Sequence, residues 1–152
     1  MNYRIVIKII LLISWMTLIF CFSNQDRDHS SRVSDGFITK ISKVILGDNY
    51  KKITKSKTYG TTVFIVRKTA HFFMYFVLSI ISFSLLYEFF GLDKKTILFT
   101  ILLCFLYSIS DEVHQLFVVG RSCELRDIII DTTSSSISAA LNYFIRKKYK
   151  KI

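Results

Sequence analysis

His71 opens an apolar run, three residues after Lys68 and four before Tyr75, in the segment Arg67-Lys68-Thr-Ala-His71-Phe-Phe-Met-Tyr75. Residues three or four apart share a helix face, so Lys68, His71, Tyr75 and Ser79 form one stripe. A second apolar run closes on Asp111-Glu112-Val-His114-Gln115, where Tyr107, Ser108, Asp111 and Gln115 share a stripe with Glu112 beside it. A third run opens on Arg126-Asp127-Ile-Ile-Ile-Asp131 and continues with Ser134 or Ser135, Ser138 and Asn142 at the same spacing. An imidazole beside a carboxylate can exchange protons, which makes His71 and Glu112 the candidate acid/base pair. Carboxylates next to a histidine also suit a divalent cation, although no recognised metal-ligand spacing is present. Arg121 and Arg126, close to these acids in Gly120-Arg121-Ser-Cys-Glu124-Leu-Arg126, would neutralise them and offer forked donors suited to phosphate.

Each of these groups has a plainer explanation when taken singly. Arg67 and Lys68 can snorkel to an interface, and one tyrosine at that depth is an ordinary belt residue. Serines on a membrane helix usually serve close packing. A charge in hydrocarbon, however, costs about 2.5–3.5 kcal/mol on insertion scales. Three runs that bring charge to one depth therefore point to a common polar pocket, with a self-paired structural network as the competing reading.

The elements that must position these residues are membrane helices. Half of the chain is hydrophobic (51%), no proline and only five glycines interrupt its 152 residues, and its mean hydropathy is +0.41. Such a composition excludes an ordinary soluble domain. Crossing about 30 Å of hydrocarbon takes ~20 apolar residues, and four windows qualify: 5–22, 69–90, 96–119 and 128–145. The fourth carries Asp131, a Thr-Thr-Ser-Ser-Ser run and Asn142, so it needs polar partners from the other helices. An all-α, four-helix integral membrane bundle in one domain, residues 1–152, follows. The first window follows Arg4 and Lys8 as a signal sequence would, but no small-x-small cleavage site succeeds it, so it reads as a retained helix.

The formal net charge of +10 sits at the ends of the apolar runs, without a groove or nucleic-acid motif, and this argues for lipid rather than nucleic acid as partner. Nine Lys or Arg lie in the N-terminus, the 91–95 turn and the tail. Twelve lie on the other side, ten of them in the long extramembrane segment 23–68, diluted there by four aspartates. Long connections influence orientation less than short ones, so the termini are expected in the cytoplasm and the polar cluster outside. Within 23–68, Val33, Phe37, Ile38, Ile41, Val44 and Ile45 recur at helical spacing and predict an interfacial amphipathic helix. Cys21, Cys104 and Cys123 lie on separate segments and form no disulfide framework.

Together these residues resemble the VanZ-like family of small bacterial membrane proteins. Phe22-Ser-Asn-Gln25 is similar to the family's Phe-Ser-x-Gln, Lys68-Thr-Ala-His71-Phe-Phe-Met-Tyr75 to its Lys-x-x-His-Phe-x-x-Tyr, and Asp111-Glu112-Val-His-Gln115 to its Asp-Glu-x-x-Gln. Gly120-Arg121, Asp127 and Asp131 complete the pattern, which spans most of the chain. Val119 stands where the family often has proline, and Ser134 where glycine is common. The resemblance implies a multi-pass cell-membrane protein linked, in the family's namesake, to low-level teicoplanin resistance, and it brings no enzymatic activity or cofactor. It also adds Gln25 to the expected ligand-binding set, which then reads Gln25, Lys68, His71, Tyr75, Asp111, Glu112, Gln115, Arg121, Asp127 and Asp131. Three functions compete: an outward pocket for a lipid or cell-wall precursor headgroup, a hydrolase or transferase on a lipid-linked phosphate using His71 and Glu112, and a scaffold whose charges satisfy one another.

Overall fold

A computed structural model describes residues 3–25 and 59–149, together with positions 36, 39 and 40. The described residues form four α-helices: α1 (Tyr3–Ser23), α2 (Tyr59–Phe90), α3 (Lys94–Gln115) and α4 (Leu125–Tyr149). At 1.5 Å per residue they are about 31, 48, 33 and 37 Å long, each sufficient to cross a ~30 Å hydrocarbon layer. Residues 3–23, 64–90 and 94–115 are also apolar enough to do so on composition alone. The all-α membrane architecture expected from the sequence is therefore present.

The helix ends differ from the apolar windows for local reasons. α2 begins ten residues before position 69, because its first turns carry Thr61, Thr62, Arg67 and Lys68, which hydropathy excludes and helical hydrogen bonding does not. α3 stops at Gln115 rather than 119: the N–H groups of Leu116, Phe117 and Val118 bond back three residues instead of four, and Gly120 then turns left-handed at φ 74°. Between α2 and α3, Gly91 adopts φ 64° and Asp93 caps α3, its side chain accepting from the Lys95 N–H at 3.2 Å. A Cβ at Gly91 would meet nothing within 4 Å, so the backbone angle is what requires glycine. The interfacial helix predicted at 33–45 lies largely outside the described residues; positions 36, 39 and 40 are helical.

The helices run alternately up and down. Lys8 near the start of α1 pairs with Glu88 near the end of α2, and Arg146 near the end of α4 stacks on Tyr87 at 4.6 Å. At the opposite end His114 of α3 lies against Phe20 of α1, and Lys68 of α2 pairs with Asp127 of α4. The buried core joins Leu12 and Ile19 of α1, Tyr75, Leu78 and Leu85 of α2, and Cys104 of α3. Two amphipathic rings fasten α1: Trp15 Nε1 donates to the Met74 carbonyl at 2.9 Å, and the Tyr107 hydroxyl to the Met16 carbonyl at 2.6 Å.

α4 is the helix that hydropathy leaves in doubt, and its serines explain how it stays. Ser134, Ser135, Ser138 and Ala139 are buried, and their small side chains let α4 approach α2 closely. The hydroxyls then bond across the seam: Ser134 to the Phe72 carbonyl, Ser138 to the Phe76 carbonyl at 2.9 Å, and Ser79 of α2 back to the Ser135 carbonyl at 2.8 Å. Ser138→Ala is expected to cost about 0.6 kcal/mol, the average for such bonds. Ser138→Leu, which also overfills the seam, is expected to cost ~1–3 kcal/mol. Reversible detergent unfolding of the bicelle-reconstituted protein, followed by circular dichroism, measures both, and equal losses would contradict this account of the seam.

Candidate functional site

The end of the bundle built from the C-termini of α1 and α3, the first half of α2, the start of α4 and the 116–124 connection gathers nearly all of the predicted residues. They divide into two groups. The first is largely self-paired, with only Asp131 Oδ1 lacking a hydrogen bond among the described residues. Lys68 pairs with Glu124 at 3.1 Å and with Asp127, which tethers α2 to the first turn of α4. Glu112, fully buried, accepts the Glu124 N–H at 2.8 Å and the Gln115 amide at 3.2 Å. That contact satisfies a backbone donor just before α4, so Glu112 secures the helix entry. Asp131 accepts from Ser108 at 2.8 Å and faces the His71 Nδ1 at 3.7 Å.

The second group surrounds a cavity of about 260 Å³ bounded by α1, α2, Asp111 of α3 and Arg121 of the connection. Gln25, His71, Tyr75, Asp111 and Arg121 from the expected set line it, joined by Arg67 and Ser23. Ser23 (3% exposed), Tyr75 (0%) and Asp111 (3%) are buried there; Ser23 lies beside the Asp111 carboxyl group and Tyr75 beside Ser108, but Ser23 Oγ, Tyr75 Oη and Asp111 Oδ1 form no hydrogen bond of good geometry among the described residues. An unsatisfied buried polar atom costs roughly 1–3 kcal/mol, so three of them leave this cavity with unmet hydrogen-bonding capacity; Ser82, Asp131 and Thr132 each carry another such atom away from its lining.

Two details depart from the sequence reading. The acid facing His71 is Asp131, while Glu112 is engaged with Gln115 and the backbone of Glu124. Arg126 turns away from the acids and lies over the Phe64 ring at 5.6 Å; the second guanidinium at the cavity is Arg67, contributed by α2. Helical phase decides this, because Arg126 and Asp127 are adjacent on α4 and cannot share a face, and Asp127 takes the inward one. Ser23 was missed because one serine ending an apolar run gives no chemical signal. Among the described residues, no three His, Cys, Asp or Glu side chains come together in a group able to hold a metal ion.

Electrostatics outside the membrane spans follow the same division. Burial and the neighbouring Arg67 charge lower the proton affinity of Arg121, which remains a cation at physiological pH. The Lys68 hydrogen bond holds the Glu124 carboxyl below the usual glutamate range.

Fold and site thus define a multi-spanning helical membrane protein with a polar cavity at one end of its bundle. The VanZ/LLP1 family model matches residues 8–146, and the chain belongs to that family. No curated protein and no solved structure matches it.

Because Glu124 binds its proton more weakly folded than unfolded, its contribution is complete above the ordinary value of 4.5 and disappears as pH falls through its lower folded value. Its side chain is 43% exposed, so solvent screening limits the effect to about 0–1 kcal/mol. Glu124→Gln is expected to lower the melting temperature slightly at pH 7 and to match the unmodified protein in strong acid. A difference that persists undiminished in acid would overturn the assignment.

Proposed function

We propose that the cavity receives the headgroup of a membrane lipid or a lipid-linked cell-wall precursor, and that occupancy alters susceptibility to glycopeptides such as teicoplanin. The observation that carries this reading is a cavity flanked by two guanidiniums, around which the buried Ser23 Oγ, Tyr75 Oη and Asp111 Oδ1 form no hydrogen bond of good geometry among the described residues. A scaffold with self-paired charges accounts for Lys68, Glu112, Gln115 and Asp127 and leaves Arg67 and Arg121 without an acid among the described residues. Family membership supports the antibiotic link, since the family's namesake is associated with teicoplanin resistance. Nine Lys or Arg lie at the end carrying the termini and twelve on the other side, but ten of those twelve belong to the long 23–68 connection, which weighs less on orientation than short segments do. With the long connection discounted, our reading has the termini in the cytoplasm and the cavity at the outer face of the cell membrane.

A second reading has one observation in its favour. His71, oriented by buried Asp131 at the cavity edge, has the arrangement of a general acid/base, which suits a hydrolase or transferase acting on a lipid-linked phosphate. Turnover of labelled lipid extract that disappears in His71→Ala would establish it.

The ligand-site reading is tested by expressing Tyr75→Phe and Asp111→Asn variants in a susceptible host and measuring teicoplanin susceptibility alongside membrane protein levels. Both are expected to abolish the effect of the unmodified protein at normal abundance. Two normally abundant variants with the full effect would refute it.

A further inference from the structure

The cavity has a polarity that narrows its ligand. Arg67 lies one turn of α2 before His71, and Arg121 projects from the connection, so the guanidiniums occupy the outer rim. Neither makes an ion pair with an acid among the described residues, although Asp111, Glu112, Glu124, Asp127 and Asp131 all sit at this end. Four of those acids are engaged elsewhere, by Lys68, His71, Ser108, Gln115 and the Glu124 N–H. Asp111 accepts a long 3.4 Å contact from Gln115 on one oxygen, has the Ser23 hydroxyl beside it, and makes no ion pair among the described residues. Arg121 is held by its Nε, which donates to the Gln25 carbonyl at 2.9 Å, and its terminal amino groups remain available for a forked contact. Two like charges on one rim repel each other, and an anion between them removes that repulsion.

The inner part differs. Tyr75 lies two helical turns below Arg67, and its hydroxyl and that of Ser23, held by no hydrogen bond of good geometry beside Ser108 and Asp111, can rotate to donate to neutral oxygens. The wall between α1 and α2 is apolar, with Ile19 and Met74 inside and Phe22 and Phe73 outside, the latter pair 52% and 60% exposed on the surface that faces the bilayer. α4 contributes nothing to the lining. At about 260 Å³ the space falls below the ~300–1,000 Å³ of sites that enclose drug-sized ligands. It holds a headgroup, and a tail must leave through the wall.

We infer that Arg67 and Arg121 clamp the phosphate of an amphiphile that enters laterally between α1 and α2, with Ser23 and Tyr75 donating to the oxygens on its tail side. This rests on the ligand-site reading above and specifies its chemistry. A phosphate bearing one or two negative charges matches paired guanidinium forks, ester or glycerol oxygens match the hydroxyls, and hydrocarbon matches the Phe22–Phe73 wall.

The test uses the full-length protein in detergent and follows thermal unfolding with three probes: dioctanoyl phosphatidic acid, dioctanoylglycerol and inorganic phosphate. Phosphatidic acid is expected to raise the melting temperature saturably, and the other two are not. Arg67→Gln touches no described partner, so it is expected to fold normally and bind phosphatidic acid about tenfold more weakly or worse, as the loss of a charge-assisted contact predicts. Arg121→Gln should do the same, with circular dichroism monitoring its additional tie to Gln25. Equal stabilisation by inorganic phosphate would overturn the amphiphile and identify free phosphate as the source. Equal stabilisation by dioctanoylglycerol, or undiminished binding in Arg67→Gln, would overturn the clamp while leaving a lipid site in place. No response to any probe would also overturn the clamp; the susceptibility of the Tyr75→Phe and Asp111→Asn variants decides separately whether the cavity is a ligand site.

Discussion

Hydrogen bonds between α4 and α2 carry the rest of this structure. α4 is too polar to hold its place in hydrocarbon by composition, yet it bears Asp127 and Asp131, to which half of the polar cluster is attached. Its serines resolve the conflict in two ways. They are small enough for the backbones to approach, and their hydroxyls find carbonyls of α2 as partners, so little of the helix's polarity meets lipid. Once the seam is closed, the register of the two helices is set, and Lys68 meets Asp127 just as His71 meets Asp131 four residues, about one turn, deeper.

The same logic of satisfaction divides the polar groups at the cavity end of the bundle. Charges that neutralise one another cost little once formed and mainly hold geometry, and the Lys68–Glu124–Asp127 and Glu112–Gln115 contacts are of that kind. They lock the entry of α4 and leave the neighbouring cavity with two guanidiniums that pair with no acid among the described residues. A self-paired scaffold beside such a cavity holds its lining in place, which is the condition that preorganised binding requires.

Much of this was legible in the residues. The lengths of the apolar runs required helices that span, and the three-and-four spacing of Lys68, His71 and Tyr75, and of Asp111 and Gln115, identified faces that do turn inward together. The alternating course of four spans brought those faces to one end. What the spacing could not show was partner choice within the cluster. His71 had three acids within plausible reach, and the depth at which α4 packs selected Asp131 over Glu112. Arg126 and Arg67 looked equivalent as flanking cations, and helical phase sent the first outward over Phe64 and the second to the cavity.

The sequence by itself determined the solvent in which this protein folds, the four long helices among its described residues and the residues that cannot sit in that solvent unaided, because these depend only on local hydropathy and on the period of an α-helix. Tertiary structure alone decided which polar groups cancel and which stay bare. Cancellation depends on contacts a few ångströms long between segments far apart in the chain, such as Lys68 with Asp127 or Arg121 with the carbonyl of Gln25, and no feature of a linear sequence measures such a distance.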